Sequence, residues 1–395
     1  MENEIENRIA IISVHGCPMM RAGVRSAGGM NIYLKHLVES LGQKDFYVDL
    51  FTRNHQPDGP AIIPLGPKSR VIHIPAGPEL MPKEDIYYHL PEFLSNMRDF
   101  IEQEQSSYDL VHSHYWLSGW IGCDLAQMWE VPHVATYHTL SIFKRLTFEA
   151  QEPLVREKIE RDIASKSHGI IGFSVEELQL LNSVYGVPTS NLHITTEGVD
   201  TRIFSPRDKL KSRSHLGIDS ASQVILYVGR LEAFKGTHVL LRSIAKLQDI
   251  EEIKLLIVGG GGDEDPEAIA LKHLALELGI AEQIIWQDAV VQEDLPDYYA
   301  ASDLCAVPSY HESFGLVALE AMACAKPVVA SSVGGLKSLV VDGVTGLLVE
   351  PNRPDEFAWK LRALLNDHKL RDRMSASAVL RAKTFTWSNA ADEVS

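Results

Sequence analysis

Short runs of apolar residues alternate with longer amphipathic stretches along most of the chain. The short runs predict buried strands and the longer stretches predict helices with one apolar face. The predicted strands are 9–14, 48–52, 110–114, 133–137, 169–173, 223–228, 254–258, 283–286, 303–307, 327–331 and 345–349. The predicted helices are 31–41, 86–105, 119–129, 153–167, 175–184, 236–247 and 266–278. Strands that alternate with helices predict an α/β fold built on parallel sheets.

The alternation stops once, in the charged and proline-containing stretch 197–215. A stretch without periodicity predicts a linker, and a chain of 395 residues is long enough for two domains. We therefore predict two doubly wound, Rossmann-like domains, at 1–199 and at 200–384. If they face each other, the carboxyl ends of their strands line one cleft, where ligands bind in such folds.

Composition excludes several classes of function. Acidic residues number 53 and basic residues 37, and the net charge of −16 argues against a nucleic-acid binder. The four cysteines have no zinc-binding spacing, so no metal site is predicted. The chain begins without a basic segment followed by an apolar one, and no apolar run approaches the ~20 residues of a membrane span. We expect a cytoplasmic protein without a membrane span.

The segment 308–335 holds the most specific motif. Glu312 and Glu320 flank the beginning of a further predicted helix, 317–324, and Ser313 is predicted to cap it. Amides at a helix start suit a phosphate, and those concerned are on Phe314, Gly315 and Leu316. Carboxylates suit the vicinal hydroxyls of sugars. A site for phosphate and diols together predicts a nucleotide-sugar ligand.

Two further features fit the same ligand. Arg230 and Lys235 follow the predicted strand 223–228 and could neutralise a diphosphate, although such a pair alone is more often solvated. Gly28 and Gly29 open a helix and could admit phosphates of the donor, although a plain loop–helix junction explains them equally well.

Polar side chains gather at the ends of two predicted strands of the first domain. Tyr115 follows one strand, and His138 and Thr139 follow the other. Such positions line the cleft of a parallel sheet. His112 and His114 alternate on a strand, which is weak evidence for a metal site.

Arg230, Lys235 and the sequence ESFGLVALE resemble the donor site of the family 4 retaining glycosyltransferases, whose GT-B fold has two Rossmann-like domains. The resemblance implies that Arg230 and Lys235 bind the diphosphate, with Gly28 and Gly29 closing onto it. It implies that Glu312 binds the transferred sugar with help from the 314–316 amides, and that Glu320 holds the ribose diol.

The resemblance also implies a mechanism and the remaining donor contacts. His138 lies near the reacting carbon, and residues 286–291 contact the base, which favours uridine and therefore a UDP-sugar. Substitution occurs on the front face, with the acceptor hydroxyl attacking as UDP leaves. No cofactor is required, since the two cations replace a metal, and Mg²⁺ is possible but not implied. The last helix, about 385–395, packs back on the first domain.

Among family 4 enzymes, the runs SVHGCP, AGGMNIYLKHL, DLFTR, VHSHYWLSG and HTL resemble the D-inositol-3-phosphate glycosyltransferases of mycothiol biosynthesis, with the sucrose-phosphate synthases as near relatives. The resemblance implies an acceptor phosphate held by four residues: Lys83, Tyr115, Thr139 and Arg156. It implies that Asn31 binds acceptor hydroxyls and that a homodimer is possible. GlcNAc and glucose are both open as the transferred sugar.

Four alternatives remain open from the sequence. The first is a sucrose-phosphate synthase that transfers glucose to fructose 6-phosphate, although Met30-Asn31 fits the inositol-phosphate enzymes better. The second is a UDP-sugar epimerase on the same fold. The third is a lipid glycosyltransferase at a membrane surface, which the mixed charges of 153–166 disfavour. The fourth is a nucleotide-sugar binder without catalytic activity.

Overall fold

A computed structural model describes residues 7–20, 28–55, 59–79, 81–148, 153–260, 262 and 265–395. The described residues form two compact units. The first unit holds those up to Thr195 together with Trp387–Ser395, and the second holds Thr196–Thr386. Within the described residues, no helix has both the length and the apolar character needed to cross a membrane.

Among the described residues, the first unit has eight strands and, before its last helix, six α-helices. The strands are β1 (Arg8–Ile12), β2 (Tyr47–Arg53), β3 (Ile62–Gly66), β4 (Ser69–Ile74), β5 (Leu110–His114), β6 (His133–Thr136), β7 (Gly169–Gly172) and β8 (Leu192–Ile194). The helices are α1 (Gly29–Gln43), α2 (Leu90–Glu104), α3 (Trp116–Trp129), α4 (Ser141–Phe148), α5 (Leu154–Lys166) and α6 (Val175–Ser183).

The sheet of the first unit is parallel apart from its outermost strand, in the order β3-β4-β2-β1-β5-β6-β7-β8. Of the strand pairs that the structure describes in this sheet, β3–β4 alone is antiparallel. The central strands carry apolar side chains on both faces because helices cover both faces, and Ile11, Leu50 and Val111 are completely buried. The order reverses between β1 and β5, which makes their carboxyl ends the expected ligand crevice.

The described part of the second unit has six strands and eight α-helices. The strands are β9 (Gln223–Val228), β10 (Ile253–Val258), β11 (Ile284–Gln287), β12 (Leu304–Val307), β13 (Val328–Ser331) and β14 (Gly346–Val349). The helices are α7 (Lys209–Leu216), α8 (Thr237–Ile244), α9 (Pro266–Glu277), α10 (Leu295–Ala301), α11 (Leu316–Ala323), α12 (Leu336–Leu339), α13 (Pro354–Asn366) and α14 (His368–Ala382).

The sheet of the second unit is entirely parallel, in the order β11-β10-β9-β12-β13-β14. This is the doubly wound order, with its reversal between β9 and β12. Buried aliphatic residues from the sheet and from α8 and α13 form the core, including Ile225, Leu240 and Leu361. The chain therefore has two Rossmann-like domains, as the alternating pattern predicts.

The last helix, α15 (Trp387–Val394), groups with the first unit. Trp387 stacks on His36 of α1 with ring centroids 4.7 Å apart, and Lys44 pairs with Asp392. α1 is the first helix after β1, so it begins at the edge of the sheet where the ligand crevice is expected. The packing of α15 therefore supports a helix that borders this crevice.

The prediction of a linker at 197–215 is wrong for its second half. Residues from Lys209 form α7, which begins with Asp208 as its side-chain cap. Lys209 and Arg213 both pair with Asp303, at 2.5 Å and 3.0 Å. The basic residues are thus held by a carboxylate at the start of β12, a partner that local sequence does not reveal.

Candidate functional site

In the first unit, loops from β1 and β5 meet where the strand order reverses. His15 follows β1 and Tyr115 follows β5, and their ring centroids are 4.5 Å apart. Tyr115 is also the residue that precedes the first turn of α3. The fold therefore brings this predicted acceptor residue to the edge where doubly wound sheets bind ligands.

Two residues at this edge have unusual backbone conformations. Tyr115 has φ 74° and ψ 158°, and His138 has φ 59°. Residues other than glycine rarely adopt these backbone conformations, and each residue that does so destabilises the fold by on the order of 1–3 kcal/mol. Strain of this kind clusters at ligand sites, so the backbone supports a functional role for both residues independently of their chemistry.

Two cations lie on the ring of Tyr115. The Lys83 Nζ is 4.1 Å from the ring centroid and the Arg156 guanidinium carbon is 4.9 Å from it. Lys83 begins the short 3₁₀ turn Lys83–His89, and Arg156 belongs to α5. Residues that are distant in sequence thus form one cationic cluster around a hydroxyl-bearing ring.

Arg156 itself is buried, with only 1% of its surface exposed. Its Nε donates to Glu160 Oε1 at 2.8 Å, and its Nη2 donates to the Thr139 carbonyl at 2.6 Å. Glu160 also accepts from the amide and hydroxyl of Ser141 and from the Tyr185 hydroxyl. In this structure Arg156 therefore supports Tyr115 and Thr139 from behind, and its direct contact with a phosphate stays a prediction.

His138 belongs to a row of buried histidines. Its Nε2 lies 3.0 Å from Nδ1 of His114, and the His114 ring packs against His112 at 4.2 Å. Burial, and secondly the nearby charge of His112, lowers the pKa of His138 to about 3. His138 is therefore a neutral imidazole at pH 7 and a weak base.

Asn31 has both ends of its side chain engaged by the backbone. Its Oδ1 accepts from the Gly28 amide at 2.9 Å and its Nδ2 donates to the Cys17 carbonyl at 2.8 Å. Asn31 is buried, whereas the neighbouring Gly29 is exposed at the first position of α1. Asn31 thus ties the loop after β1 to the start of α1, and its predicted contact with acceptor hydroxyls is untested.

In the second unit, the loops after β9 and β12 approach closely. A Cβ on Gly236 would lie 2.1 Å from the Pro308 carbonyl oxygen, and Gly236 has φ 72°. Only glycine fits that contact and that conformation. The approach places Lys235, which precedes this glycine, beside the segment that carries Glu312.

Lys235 and Glu312 form a partly buried ion pair. The Lys235 Nζ is 2.6 Å from Glu312 Oε1, and Ser309 Oγ donates to the same oxygen at 2.9 Å. Burial raises the pKa of Glu312, but the Lys235 charge and the hydrogen bonds from Lys235 and Ser309 outweigh it and hold the pKa below its usual range. Glu312 is therefore ionised, and both of its oxygens can accept strong hydrogen bonds from sugar hydroxyls.

Glu320 is buried on α11 and has two side-chain partners. Tyr299 Oη donates to Oε2 at 2.9 Å and Gln292 Nε2 donates to Oε1 at 3.3 Å. Burial raises the pKa of Glu320 to about 7, although both hydrogen bonds act to lower it. This carboxyl group therefore changes charge near neutral pH.

The start of α11 differs from the prediction. Gly315, at φ 111° and ψ 51°, precedes the first helical residue, Leu316, and no side chain caps the helix. The prediction that Ser313 is the cap is therefore wrong, because glycine adopts this left-handed conformation without strain. Phe314 and Leu316 are buried, so only their backbone could contact a ligand.

Arg230 lies in the loop after β9 and pairs with Glu232. The Tyr227 hydroxyl donates to the Arg230 carbonyl at 2.7 Å and thus holds this loop against its strand. Arg230 and Lys235, the two cations predicted to bind a diphosphate, therefore each pair with a carboxylate. A diphosphate would compete with these carboxylates for the two cations.

Glu197 is a feature of this site that the sequence did not reveal. It is 6% exposed, and burial, followed by the charges of Glu312 and Glu320, raises its pKa well above the usual range. Lys235 acts in the opposite direction. Glu197 lies in the stretch interpreted as a linker, and no local motif marks it.

The structure therefore groups the predicted residues within each unit. Lys83, Tyr115, His138, Thr139 and Arg156 gather in the first, and Lys235, Glu312 and Glu320 gather with Glu197 in the second. Gly28 and Gly29 lie in the first unit, and their predicted contact with donor phosphates is untested.

Comparison with known proteins identifies the family to which the chain belongs. Residues 27–203 match the model of Glycosyltransferase Family 4, and residues 208–381 match that of Glycosyl transferases group 1. The chain is 36% identical to the D-inositol 3-phosphate glycosyltransferase of Corynebacterium glutamicum, over 98% of this chain and 95% of that protein. It is 39% identical to the protein of that name from Corynebacterium jeikeium, over 98% and 94%.

A solved structure of a related enzyme also resembles the chain over nearly its whole length. Sucrose-phosphate synthase from Thermosynechococcus elongatus superposes with a TM-score of 0.91 at 33% identity, over 98% of this chain and 97% of that one. The strand orders of both units and these full-length similarities lead to one assignment. The chain belongs to glycosyltransferase family 4 and has the two Rossmann-like domains of the GT-B fold.

Proposed function

We propose that the protein transfers a sugar, GlcNAc or glucose, from a UDP-sugar to inositol phosphate with retention of the anomeric configuration. The observation that carries the acceptor assignment is the cluster in which Lys83 and Arg156 lie on the ring of Tyr115. Two cations with neighbouring hydroxyls suit a phosphate monoester. The names of relatives at 36% and 39% identity support the same acceptor.

The donor assignment is supported by the carboxylates and cations of the second unit. Glu312 is ionised and suits sugar hydroxyls, whereas Glu320 suits the ribose diol once it has lost its proton. Lys235, 2.6 Å from Glu312, and Arg230 would share their charge with the diphosphate of the donor.

In the proposed reaction, the bond between the anomeric carbon and the diphosphate oxygen breaks while the acceptor oxygen bonds to that carbon from the same face. The acceptor proton passes to the departing diphosphate. His138 is a poor base because its pKa is about 3, so its neutral imidazole would hydrogen-bond to the transferred sugar instead. Lys235 and Arg230 would stabilise the charge that develops on the leaving group.

The test is a matrix of donors and acceptors followed by UDP release. UDP-GlcNAc and UDP-glucose are each combined with inositol phosphate, inositol, fructose 6-phosphate and fructose, and proton NMR reads the anomeric configuration of the product. Turnover confined to phosphorylated acceptors supports the proposal. Equal turnover of inositol and inositol phosphate, or an inverted product, would refute it.

Lys83→Met tests the phosphate contact directly. Loss of one charged donor to phosphate costs about 1.5–3 kcal/mol, so we expect KM for inositol phosphate to rise roughly 10- to 100-fold. Lys360→Met is the matched control, because Lys360 also lies on an aromatic ring, that of Trp359, at 5.3 Å, but belongs to α13. An unchanged KM in Lys83→Met would remove this residue from the acceptor site.

Sucrose-phosphate synthesis is the second candidate, favoured by the TM-score of 0.91 to a sucrose-phosphate synthase. It requires the highest kcat/KM in the same matrix for UDP-glucose with fructose 6-phosphate. A preference for inositol phosphate excludes it.

Two further alternatives, a nucleotide-sugar binder without activity and a UDP-sugar epimerase, are distinguished from a glycosyltransferase by other experiments. Lys235→Ala and Glu312→Ala should each lower kcat by roughly 10²-fold or more if the site is catalytic. If turnover survives in both variants, these residues do not catalyse the reaction. An epimerase would convert the UDP-sugar without an acceptor and without UDP release.

A further inference from the structure

Three potential metal ligands meet at one edge of the first sheet. Cys17 follows β1, His55 follows β2, and His73 is the penultimate residue of β4. β4, β2 and β1 are neighbours in the sheet and run parallel, so their carboxyl ends lie side by side. The strand order therefore gathers a thiol and two imidazoles that sequence spacing does not connect.

The distances suit a tetrahedral ion. One ligand atom from each of the three residues lies within 4.8 Å of the others, and Cys17 Sγ is 3.3 Å from His73 Nε2. The rings of His55 and His73 meet edge to face at 5.7 Å. Zn²⁺ bonds of about 2.3 Å to sulfur and 2.0–2.1 Å to nitrogen would place neighbouring ligand atoms roughly 3.5 Å apart. Side-chain movements of about 1 Å would complete that geometry.

A hydrogen bond orients His73 as a ligand. Its Nδ1 lies 3.0 Å from the Pro60 carbonyl oxygen. Because a carbonyl only accepts, Nδ1 carries the hydrogen and Nε2 presents its lone pair towards Cys17. A backbone carbonyl on the second ring nitrogen is the usual support of a metal-bound histidine.

We propose that Cys17, His55 and His73 bind a Zn²⁺ ion, with water as the fourth ligand. A thiolate with two imidazoles favours Zn²⁺ over Mg²⁺ or Ca²⁺, which prefer oxygen. The Cys17 carbonyl accepts from Asn31 Nδ2 at 2.8 Å, so one hydrogen bond would connect a ligand of the ion to a residue predicted to bind the acceptor. None of the three proposed ligands is among the residues assigned to sugar transfer.

The competing explanation is a hydrogen bond from the Cys17 thiol to His73. Burial raises the pKa of Cys17 to about 11, so without an ion the sulfur keeps its hydrogen at pH 7. That explanation needs only Cys17 and His73 and assigns no role to His55. The two explanations therefore differ in what His55→Asn does.

The experiment removes bound metal from the chain with a chelator, adds Zn²⁺ back, and removes the unbound excess by dialysis before metal is measured. We expect one Zn²⁺ per chain by elemental analysis, and Co²⁺ substitution should give a thiolate-to-cobalt charge-transfer band in the near ultraviolet. Cys17→Ser should abolish the band. His55→Asn and His73→Gln should each weaken Zn²⁺ binding by at least about 100-fold.

Cys123→Ser is the matched control. Cys123 Sγ lies 3.6 Å from His133 Nδ1, so it is also a cysteine beside a histidine, but the pair belongs to no three-ligand group among the described residues. This variant should keep both the band and the Zn²⁺ affinity. Thermal melting of each metal-free variant checks folding, and partly exposed His55 keeps the test valid if Cys17→Ser fails to fold.

Three outcomes would overturn the proposal. They are no stoichiometric Zn²⁺ in the unmodified chain, a charge-transfer band that survives Cys17→Ser, and unchanged Zn²⁺ affinity in His55→Asn. Sugar-transfer activity is not the readout, so failure here leaves the proposed function untouched.

Discussion

Replacing Lys235 with methionine should destabilise the second unit in a pH-dependent way. The variant keeps the length and apolar stem of the side chain but removes the charge 2.6 Å from Glu312. Glu312 then keeps the Ser309 hydrogen bond and loses its counter-ion, next to the buried carboxyl of Glu197. An uncompensated carboxylate in the protein interior is the physical cost.

The expected size follows from burial. Exposed pairs contribute about 0–1 kcal/mol, and breaking a fully buried pair costs about 3–5 kcal/mol. The side chains of Lys235 and Glu312 are 21% and 15% exposed, so we expect an intermediate loss of about 2 kcal/mol. For a domain of roughly 150–250 residues, this corresponds to a fall in Tm of about 4–8 °C.

The pH dependence has a definite sign. With Lys235 present, the pKa of Glu312 is depressed, so the pair stabilises the fold above the unfolded pKa of about 4.3 and that stabilisation fades as pH falls. Without Lys235, burial raises the Glu312 pKa and the penalty grows above about pH 4.3. The deficit in Tm should therefore be largest at about pH 8 and smallest near pH 4.

The assay is calorimetric melting of the full chain at several pH values. Lys235→Met combined with Glu312→Gln removes both charges and should recover most of the loss, whereas Lys360→Met on α13 should leave Tm nearly unchanged. The reasoning is refuted if Lys235→Met melts like the unmodified chain at about pH 8, or if the double variant is no more stable than Lys235→Met.

Three further predictions concern the other buried ionisable residues. Glu197→Gln should raise Tm at pH 7 and have no effect below about pH 4. The pKa of Glu197 is raised in the folded state, so this residue destabilises the fold only above its unfolded pKa of about 4.3, where the unfolded chain carries the ionised form. A lower Tm at pH 7 in calorimetric melts would contradict this. In initial-rate assays, kcat/KM for the donor should fall about tenfold per pH unit below about pH 7, because Glu320 takes up its proton there. Glu320→Gln should flatten that pH profile. If the profile keeps its slope in this variant, a residue other than Glu320 causes the pH dependence. Arg156→Met should destabilise the first unit by about 3–5 kcal/mol in urea unfolding, because it leaves Glu160 unpaired and the side chains of this ion pair are only 1% and 0% exposed. Adding Glu160→Gln should recover part of the lost stability. If the double variant is no more stable than Arg156→Met, loss of the ion pair is not the cause.

The positions of most strands and helices could be predicted from the sequence. The strands predicted at 110–114 and 223–228 have the same bounds as β5 and β9. β9 is apolar after its first residue, as expected of a strand buried on both faces, whereas β5 has the sequence LVHSH and is apolar only at its first two residues. The order of helices and strands then predicts doubly wound sheets, and the ESFGLVALE motif and its basic partners lead to the sugar-nucleotide hypothesis. These are properties of local sequence and of its spacing.

The contacts that build the sites were decided by tertiary structure. Lys235 and Glu312 are 77 positions apart and meet because β9 and β12 are neighbours in the sheet. The same kind of long-range approach buries Glu197 beside Glu312. Arg156, predicted as a phosphate ligand, is buried behind Tyr115 because Glu160 lies one helical turn away.

Local sequence determined which segments become strands and helices, because apolar periodicity acts over a few residues. It did not determine which loops share an edge, because strand order is set by the packing of whole helices on sheets. Cys17, His55 and His73 show the difference most clearly, since no spacing connects them and only the order β4-β2-β1 brings them together.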